Sequence, residues 1–159
     1  MYDNIIENEM NKIIEKLEDY VNTIPAEFRK INEYDVNLKQ YPDRWSKKEI
    51  LGHLIDSAFN NLQRLIRVQY QPEVKIVYSQ NEWVDIQDYQ NLDTDSTIQL
   101  WIVLNRQLIR IIRNFPADKL ESKIDIGKTV PELHIAEFLI TDYLSHMEHH
   151  FGQIFGRIY

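Results

Sequence analysis

The stretch LITDYLSHMEHHFGQIFGRIY, residues 139–159, contains three of the five histidines of the chain. His146 and His150 are four residues apart, so on an α-helix their side chains lie one turn apart on the same face. A helical projection places that face among apolar side chains such as Leu139, toward the expected core. His149 falls at the polar edge, where we expect a supporting, surface or partner contact. The spacing lets two imidazoles bind one divalent cation from a rigid element.

His53, from a second helix far upstream, is the third ligand in this interpretation. A buried neutral imidazole needs a partner, so an inward-facing pair is harder to satisfy than a single histidine. The pair alone is equally compatible with two hydrogen-bonded core histidines. Asp142 precedes His146 by four residues and is an alternative ligand or an acceptor for an imidazole N–H. His134 lies too far along the last predicted helix to join the group.

Composition restricts the class of protein. A chain of 159 residues with 43% hydrophobic content suits one domain, spanning residues 1–159. The net charge of −7 argues against a nucleic-acid partner. The chain has no cysteine, which excludes disulfides and thiolate ligands and fits a cytoplasmic location. We expect no signal peptide and no membrane span, because no sufficiently long apolar run occurs.

Hydrophobic periodicity predicts four long amphipathic helices, of which the first two have clear limits. The first spans residues 3–24, and Pro25 is predicted to end it or to start a short following turn, because proline disfavours a helix interior. Residues 26–32 are a candidate for a brief second helix. The polar segment 33–44 is predicted to be a connector. Ser46 and Glu49 form a capping box that opens the second helix, which continues to about residue 68.

The third helix is predicted to start with Thr94 or Asp95 as its N-cap and to end at Phe115. A second capping box, Thr129 with Glu132, is predicted to open the last helix, which reaches almost to the end of the chain. The connection between the second and third helices is unusually long. This pattern predicts an all-α fold, a four-helix bundle with a long crossover between helices 2 and 3.

Two blocks of the sequence resemble motifs of the DinB/YfiT-like superfamily. WSKKEILGHLID, residues 45–56, is similar to its W-S-x-x-E-h-L-x-H-L-x-D block. YLSHMEHHFGQI, residues 143–154, is similar to its closing H-x-x-H-H-x-x-Q-I block. The resemblance extends over essentially the whole chain. It implies a helical bundle in which three histidines hold a metal ion, and in this sequence they are His53, His146 and His150.

The resemblance also implies an enzyme that acts on a small molecule, either a metal-dependent hydrolase or a transferase that uses a low-molecular-weight thiol. Three imidazoles suit a divalent metal ion, with zinc or nickel expected, and leave positions open for substrate. Arg64 and Asn60 lie near His53 on a helical projection and are candidate substrate-binding or orienting residues. Trp83 and Tyr89 are candidates for covering the site. A surface arginine and a core tryptophan are the plainer interpretations of Arg64 and Trp83.

Two other functions stay open at this point: a non-enzymatic metal-binding or stress-response module, and a metal-free interaction bundle. No side chain stands out as a general base. The last helix is apolar over more than half of its circumference, with Ile140, Leu144, Phe151 and Phe155 opposite the histidines. A helix of this kind is central in its bundle or buried against a second subunit, and we predict a homodimer.

Overall fold

The computed structural model describes residues 2–159, with side chains from residue 8 onward. Two short α-helices accompany the bundle: α2 (Glu33–Asn37) precedes its second long helix, and α4 (Gln80–Gln87) lies in the crossover that follows. A 3-10 turn (Ala117–Lys119) lies in the last connection. The four long helices are α1 (Tyr2–Phe28), α3 (Lys47–Arg67), α5 (Thr94–Arg113) and α6 (Ala136–Phe155). The predicted four-helix bundle, with its long crossover between the second and third long helices, is confirmed.

A small three-stranded sheet, formed by the two long connections, adds to the predicted all-α architecture. β1 (Val74–Lys75) pairs in parallel with β2 (Lys123–Asp125), and β2 pairs antiparallel with β3 (Leu133–Ile135). Val74 lies opposite Ile124, and both side chains are fully buried. The sheet therefore ties the α3–α5 crossover to the α5–α6 connection through apolar contacts.

Pro25 does not end α1, contrary to the prediction. The helix continues to Phe28, and the carbonyl of Pro25 still accepts the N–H of Arg29 at 3.1 Å. Ile24 and Phe28 on either side of the proline are buried in the core. Their packing offsets the hydrogen bond that proline cannot donate.

The observed helix starts can be compared with the capping residues predicted from the sequence. In the segment 33–44, predicted to be a connector, α2 forms because the Asn32 side chain accepts an N–H of its first turn at 2.9 Å. The predicted capping box of α3 is present, since Ser46 and Glu49 each accept the backbone N–H of the other. Asp93 caps α5, slightly ahead of the predicted start.

The predicted capping box at Thr129 does not form, and α6 begins later, at Ala136. The Asp125 carboxylate accepts the N–H groups of Gly127 and Glu132, both at 2.9 Å. These bonds hold residues 127–132 as the loop between β2 and β3. The Glu132 N–H is thus already bonded within the hairpin, so the helix starts only after β3.

The apolar faces of the four long helices meet in one core. Ile140 and Phe151 belong to the apolar face that indicated either a central helix or a helix buried against a second subunit, and both are fully buried within the chain itself. The homodimer stays a prediction without this support. Among the residues described, none of the helices combines the length and apolarity needed to cross a membrane. The centre of the core is formed by Leu17, Ile24, Leu51, Leu54, Trp101, Leu108, Ile140, Met147 and Phe151.

Candidate metal centre

Packing of α3 against α6 brings the three predicted histidines together. His53 lies in the second turn of α3 and is 1% exposed, and His146 and His150 lie in the C-terminal half of α6. The Nε2 atom of His146 is 3.1 Å from Nε2 of His53 and 3.2 Å from Nε2 of His150. The possible ligand atoms of all three lie within 4.8 Å of one another.

The convergence of three Nε2 atoms is poorly explained by hydrogen bonds alone. An imidazole nitrogen offers either one hydrogen or one lone pair, so His146 Nε2 cannot form a good hydrogen bond with both neighbours. One cation between them satisfies three lone pairs at once. A tetrahedral zinc site with Zn–N bonds of about 2.0–2.1 Å separates its nitrogens by about 3.3 Å, close to the spacing here. The residues present therefore fit a divalent cation.

The surroundings of the histidines favour their neutral form. Burial, and then the neighbouring histidines, lower the pKa of His53 to about 3. The same causes lower the pKa of His146 to about 4. Burial also lowers the pKa of His150, although its bond to Gln153 acts in the opposite direction. Near pH 7 all three rings are therefore neutral, with lone pairs available to a metal.

Gln153 fixes the orientation of His150. Its side-chain oxygen lies 2.8 Å from His150 Nδ1, so Nδ1 carries the hydrogen and Nε2 keeps its lone pair for the centre. The Gln153 amide nitrogen lies 3.1 Å from Nε2 of the exposed His149. His149 thus contacts the residue that orients His150 and lies outside the cluster of possible ligands.

Trp45 packs over His53, with ring centroids 4.9 Å apart and an angle of 33° between the planes. Trp45 was not among the predicted site residues, although it stands directly before the capping box of α3. The buried Nδ1 atoms of His53 and His146 have no hydrogen-bond partner among the described side chains. Packing, including that of Trp45, therefore contributes more to the orientation of these two rings than hydrogen bonds do.

An open cleft of about 830 Å³ reaches His150 from the side of α2. Trp45 and Gln153 belong to its walls, so the cleft adjoins the histidine cluster directly. A space of this size is typical of small-molecule sites. Most of the remaining lining is polar or charged, including Arg44, Lys47 and Asn81, and Leu38 and Ile50 add apolar surface.

Arg64 and Asn60 lie further along α3. Arg64 is eleven residues beyond His53, a rise of about 16 Å, and its guanidinium donates to the carbonyl of Ile76 at 2.9 and 3.2 Å. The Asn60 amide donates to the carbonyl of Asp56 at 2.8 Å. Among the described residues, neither forms a hydrogen bond with a histidine of the cluster. Their substrate role stays a prediction.

Four other residues that were considered from the sequence lie away from the histidine cluster. Trp83 lines a separate apolar groove, and Tyr89 is buried beneath it, so neither lines the cleft beside the histidines. Asp142 is exposed and outside the cluster of possible ligands. His134 lies on β3 rather than in α6, and its Nε2 is 3.0 Å from the Glu132 carboxylate.

Fold and site together define a four-helix-bundle protein whose second and fourth long helices bring three histidines to a common point. The model of the DinB superfamily matches residues 12–154, about nine-tenths of the chain. The chain therefore belongs to the DinB superfamily, as the two sequence blocks implied.

Proteins of known name and solved structure are similar to this chain over most of its length. The chain is 24% identical over 154 residues to a protein of Oceanobacillus iheyensis named "Putative metal-dependent hydrolase OB0782", a match covering 91% of this chain and 83% of that protein. The solved structure of YfiT from Bacillus subtilis, described as "a probable metal-dependent hydrolase with an unusual four-helix bundle topology", superposes with a TM-score of 0.79 at 19% identity, covering 94% and 85% of the two chains.

A second similar structure is that of a mycothiol-dependent maleylpyruvate isomerase, with a TM-score of 0.76 at 11% identity. That match covers 94% of this chain and 64% of the isomerase, which is therefore considerably longer. At these identities the two structural comparisons establish the shared fold.

Proposed function

We propose that this protein is a metal-dependent enzyme that acts on a small molecule, with its divalent cation held by His53, His146 and His150. The observation that carries the proposal is the convergence of three Nε2 atoms beside an open cleft. The names of the Oceanobacillus relative and of YfiT point to the same chemistry. We propose zinc as the cation and nickel as the alternative, since both accept imidazole ligands.

A divalent cation bound by three neutral imidazoles supplies a Lewis acid with positions left for substrate. Residues around the three histidines orient the rings and keep them neutral. Gln153 holds His150 in the tautomer that directs a lone pair inward, and Trp45 restricts the ring of His53. Burial keeps the rings of His53 and His146 unprotonated, and the cleft brings substrate to the side of His150.

Two reactions fall within this proposal. Hydrolysis is favoured by the names of two relatives, and transfer to or from a low-molecular-weight thiol is favoured by the likeness to a mycothiol-dependent enzyme. In both, Arg64 and Asn60 are candidates for contacts with a part of the substrate that extends along α3. The three-histidine centre is common to the two reactions and does not distinguish them.

Metal content tests the centre itself. Protein prepared without a histidine tag is expected to contain close to one equivalent of divalent metal, and His53→Ala is expected to contain much less. His134→Ala is the matched control, because it removes a histidine outside the cluster. Equal metal content in wild type and His53→Ala would contradict the proposal.

A second assay separates the reactions. Zinc-loaded protein is incubated with small ester and amide substrates, and separately with an electrophile in the presence and absence of a low-molecular-weight thiol. Conjugation that requires both thiol and zinc indicates a transferase, and zinc-dependent cleavage without thiol indicates a hydrolase. Stable zinc binding with neither activity would favour the non-enzymatic metal-binding or stress-response module.

Two further expectations accompany the proposed enzyme. A homodimer is predicted, and sedimentation at micromolar concentration tests it, with a monomer contradicting it. A cytoplasmic location is predicted because the sequence contains no cysteine, and cell fractionation tests that expectation.

A further inference from the structure

A second pocket lies between α3, α4 and α5 and shares no lining residue with the cleft at the histidines. It is a groove of about 530 Å³, large enough for a small ligand. Exposed apolar area of this kind is unfavourable in water and often marks a binding site. Ile86, for example, is 81% exposed at the rim. The apolar walls of the groove are Ile55, Phe59, Trp83, Ile86, Leu100 and Leu104.

The groove contains one acidic side chain, Asp56, which is 1% exposed. Its Oδ1 atom accepts hydrogen bonds from the Tyr89 hydroxyl, at 2.7 Å, and from the Gln87 amide. Its Oδ2 atom is buried and has no hydrogen-bond partner among the described residues. Both partners are neutral, so among the residues that the structure describes no cation balances this carboxylate within hydrogen-bonding distance.

Close packing at Gly52 holds this arrangement in place. A Cβ atom at Gly52 would lie 2.2 Å from the ring of Tyr89, so only glycine lets that ring approach α3 so closely. The ring position directs the Tyr89 hydroxyl onto Oδ1 of Asp56 and leaves Oδ2 without a donor. The Gln87 residue, by contrast, is exposed, and its side chain can rotate away from the carboxylate.

We propose that this groove binds a hydrophobic amine, with its apolar body between α3, α4 and α5 and its ammonium group bonded to Asp56. The apolar walls favour an apolar body, and an ammonium group supplies both the missing donor and the missing positive charge. An uncharged alcohol of the same length lacks the charge. A fatty carboxylate would place two like charges together. The site does not depend on the metal centre, because the two pockets share no residue.

Burial raises the pKa of Asp56 to about 6, while the bonds from Tyr89 and Gln87 act in the opposite direction. At pH 7.5 the carboxylate is therefore mostly ionised and available to an ammonium group. Binding is best measured at this pH, where alkylamines are also protonated.

The test uses two probes of equal length, octylammonium and 1-octanol, titrated into the full-length protein at pH 7.5. Calorimetry gives the affinities, and the NMR signal of the Trp83 indole reports whether the groove is occupied. We expect octylammonium to bind at least tenfold more tightly than octanol and to shift the Trp83 signal. Asp56→Asn is expected to remove this preference, whereas Asp85→Asn, which neutralises an exposed carboxylate on α4, is expected to retain it.

Because Asp56 is buried, its variant is first compared with wild type by thermal unfolding. Gln87→Ala provides a second variant at an exposed residue. Without the Gln87 amide the carboxylate has one donor fewer, so octylammonium is expected to bind several-fold more tightly, with octanol unchanged.

Three results would overturn the proposal. One is equal affinity of the two probes for wild type, and another is an amine preference that survives in a folded Asp56→Asn protein. The third is absence of binding by either probe together with a concentration-dependent dimer that Ile86→Arg disrupts. In that case the groove would be the contact between two copies of the chain.

Discussion

His53 and Asp56 are three residues apart on α3 and equally buried, yet their surroundings favour different kinds of ligand. His53 places its Nε2 atom against a cluster of two other imidazoles, an arrangement that one cation would satisfy at all three rings. Within the described part of the chain, Asp56 accepts hydrogen bonds from two neutral donors, Gln87 and Tyr89, and its Oδ2 atom has no partner. The neighbours therefore decide the ligand: converging neutral bases favour a metal ion, and a lone carboxylate in an apolar groove favours an ammonium group.

The two pockets also differ in the polarity of the side chains that line them. The cleft at His150 is lined largely by polar and charged side chains, and the groove at Asp56 almost entirely by apolar ones. Both effects of burial on ionisation are visible, since burial lowers the pKa of His53 and raises that of Asp56. Each shift favours the neutral form of its group.

Removal of one imidazole should separate the two sites most clearly. We expect His146→Ala to weaken zinc binding by more than about 100-fold, beyond the 10–100-fold typical of losing a residue that only supports a ligand. Zinc at 100 times the wild-type Kd stabilises the native state by about 2.7 kcal/mol, and this increment should fall below about 0.4 kcal/mol in the variant. Thermal unfolding with zinc and with chelator measures it. His134→Ala should retain the increment, and its loss there would contradict the assignment.

Acid should destabilise the metal-free protein through the histidines. In the unfolded chain His53 and His146 take up protons near pH 6.5, whereas in the folded state their pKa values are about 3 and 4. Unfolding therefore binds protons below pH 6.5, and stability falls as the pH falls. Asp56 acts in the opposite sense, because its raised pKa makes the folded state bind its proton first.

The net loss of stability between pH 6.5 and pH 5 is expected to be about 2 kcal/mol, from the balance of these three groups. Urea unfolding in the presence of chelator measures it. His146→Ala should lower the slope, and Asp56→Asn should increase it. A wild-type protein that is equally stable at both pH values would show that the rings are not held neutral by burial.

Gly52→Ala tests the position between the two sites. The new methyl group would collide with the buried ring of Tyr89, at a cost near the upper end of the usual 1–3 kcal/mol for overpacking. The gain in helix propensity of about 1 kcal/mol offsets part of this, leaving a net loss of about 2 kcal/mol. Amine binding should weaken with it, while zinc affinity should stay close to wild type. Gly156→Ala, where no atom lies within 4 Å of the added Cβ but φ is +70°, distinguishes backbone strain from collision.

The smallest expected effect is that of Gln153→Ala. Without the amide oxygen, His150 loses the acceptor that fixes its tautomer, and zinc affinity should fall about tenfold, or ~1.4 kcal/mol. Competition with a coloured zinc chelator measures the change. Gln153→Glu, which keeps an acceptor at this position, should restore most of the affinity. An unchanged affinity in Gln153→Ala would show that packing alone orients His150.

Local signals in the sequence predicted much of the fold and the histidine cluster. The Ser46–Glu49 capping box and the periodicity of the long helices depend on residues close in sequence, so they held. The predicted Thr129–Glu132 capping box is equally local, but it does not form because the Asp125 carboxylate accepts the Glu132 N–H. Pro25 does not end the helix, because the burial of Ile24 and Phe28 outweighs the local preference of proline against a helix interior.

By itself the sequence determined the bundle, its long crossover and the residues that could bind a metal, because helical spacing and two motif blocks are properties of the chain alone. Only the tertiary structure decided that His53 meets the α6 pair, that Trp45 packs on it, and that Trp83 lines a different pocket. It also isolated Asp56 in an apolar groove. These features depend on distances between residues far apart in sequence, and packing of the whole core sets those distances.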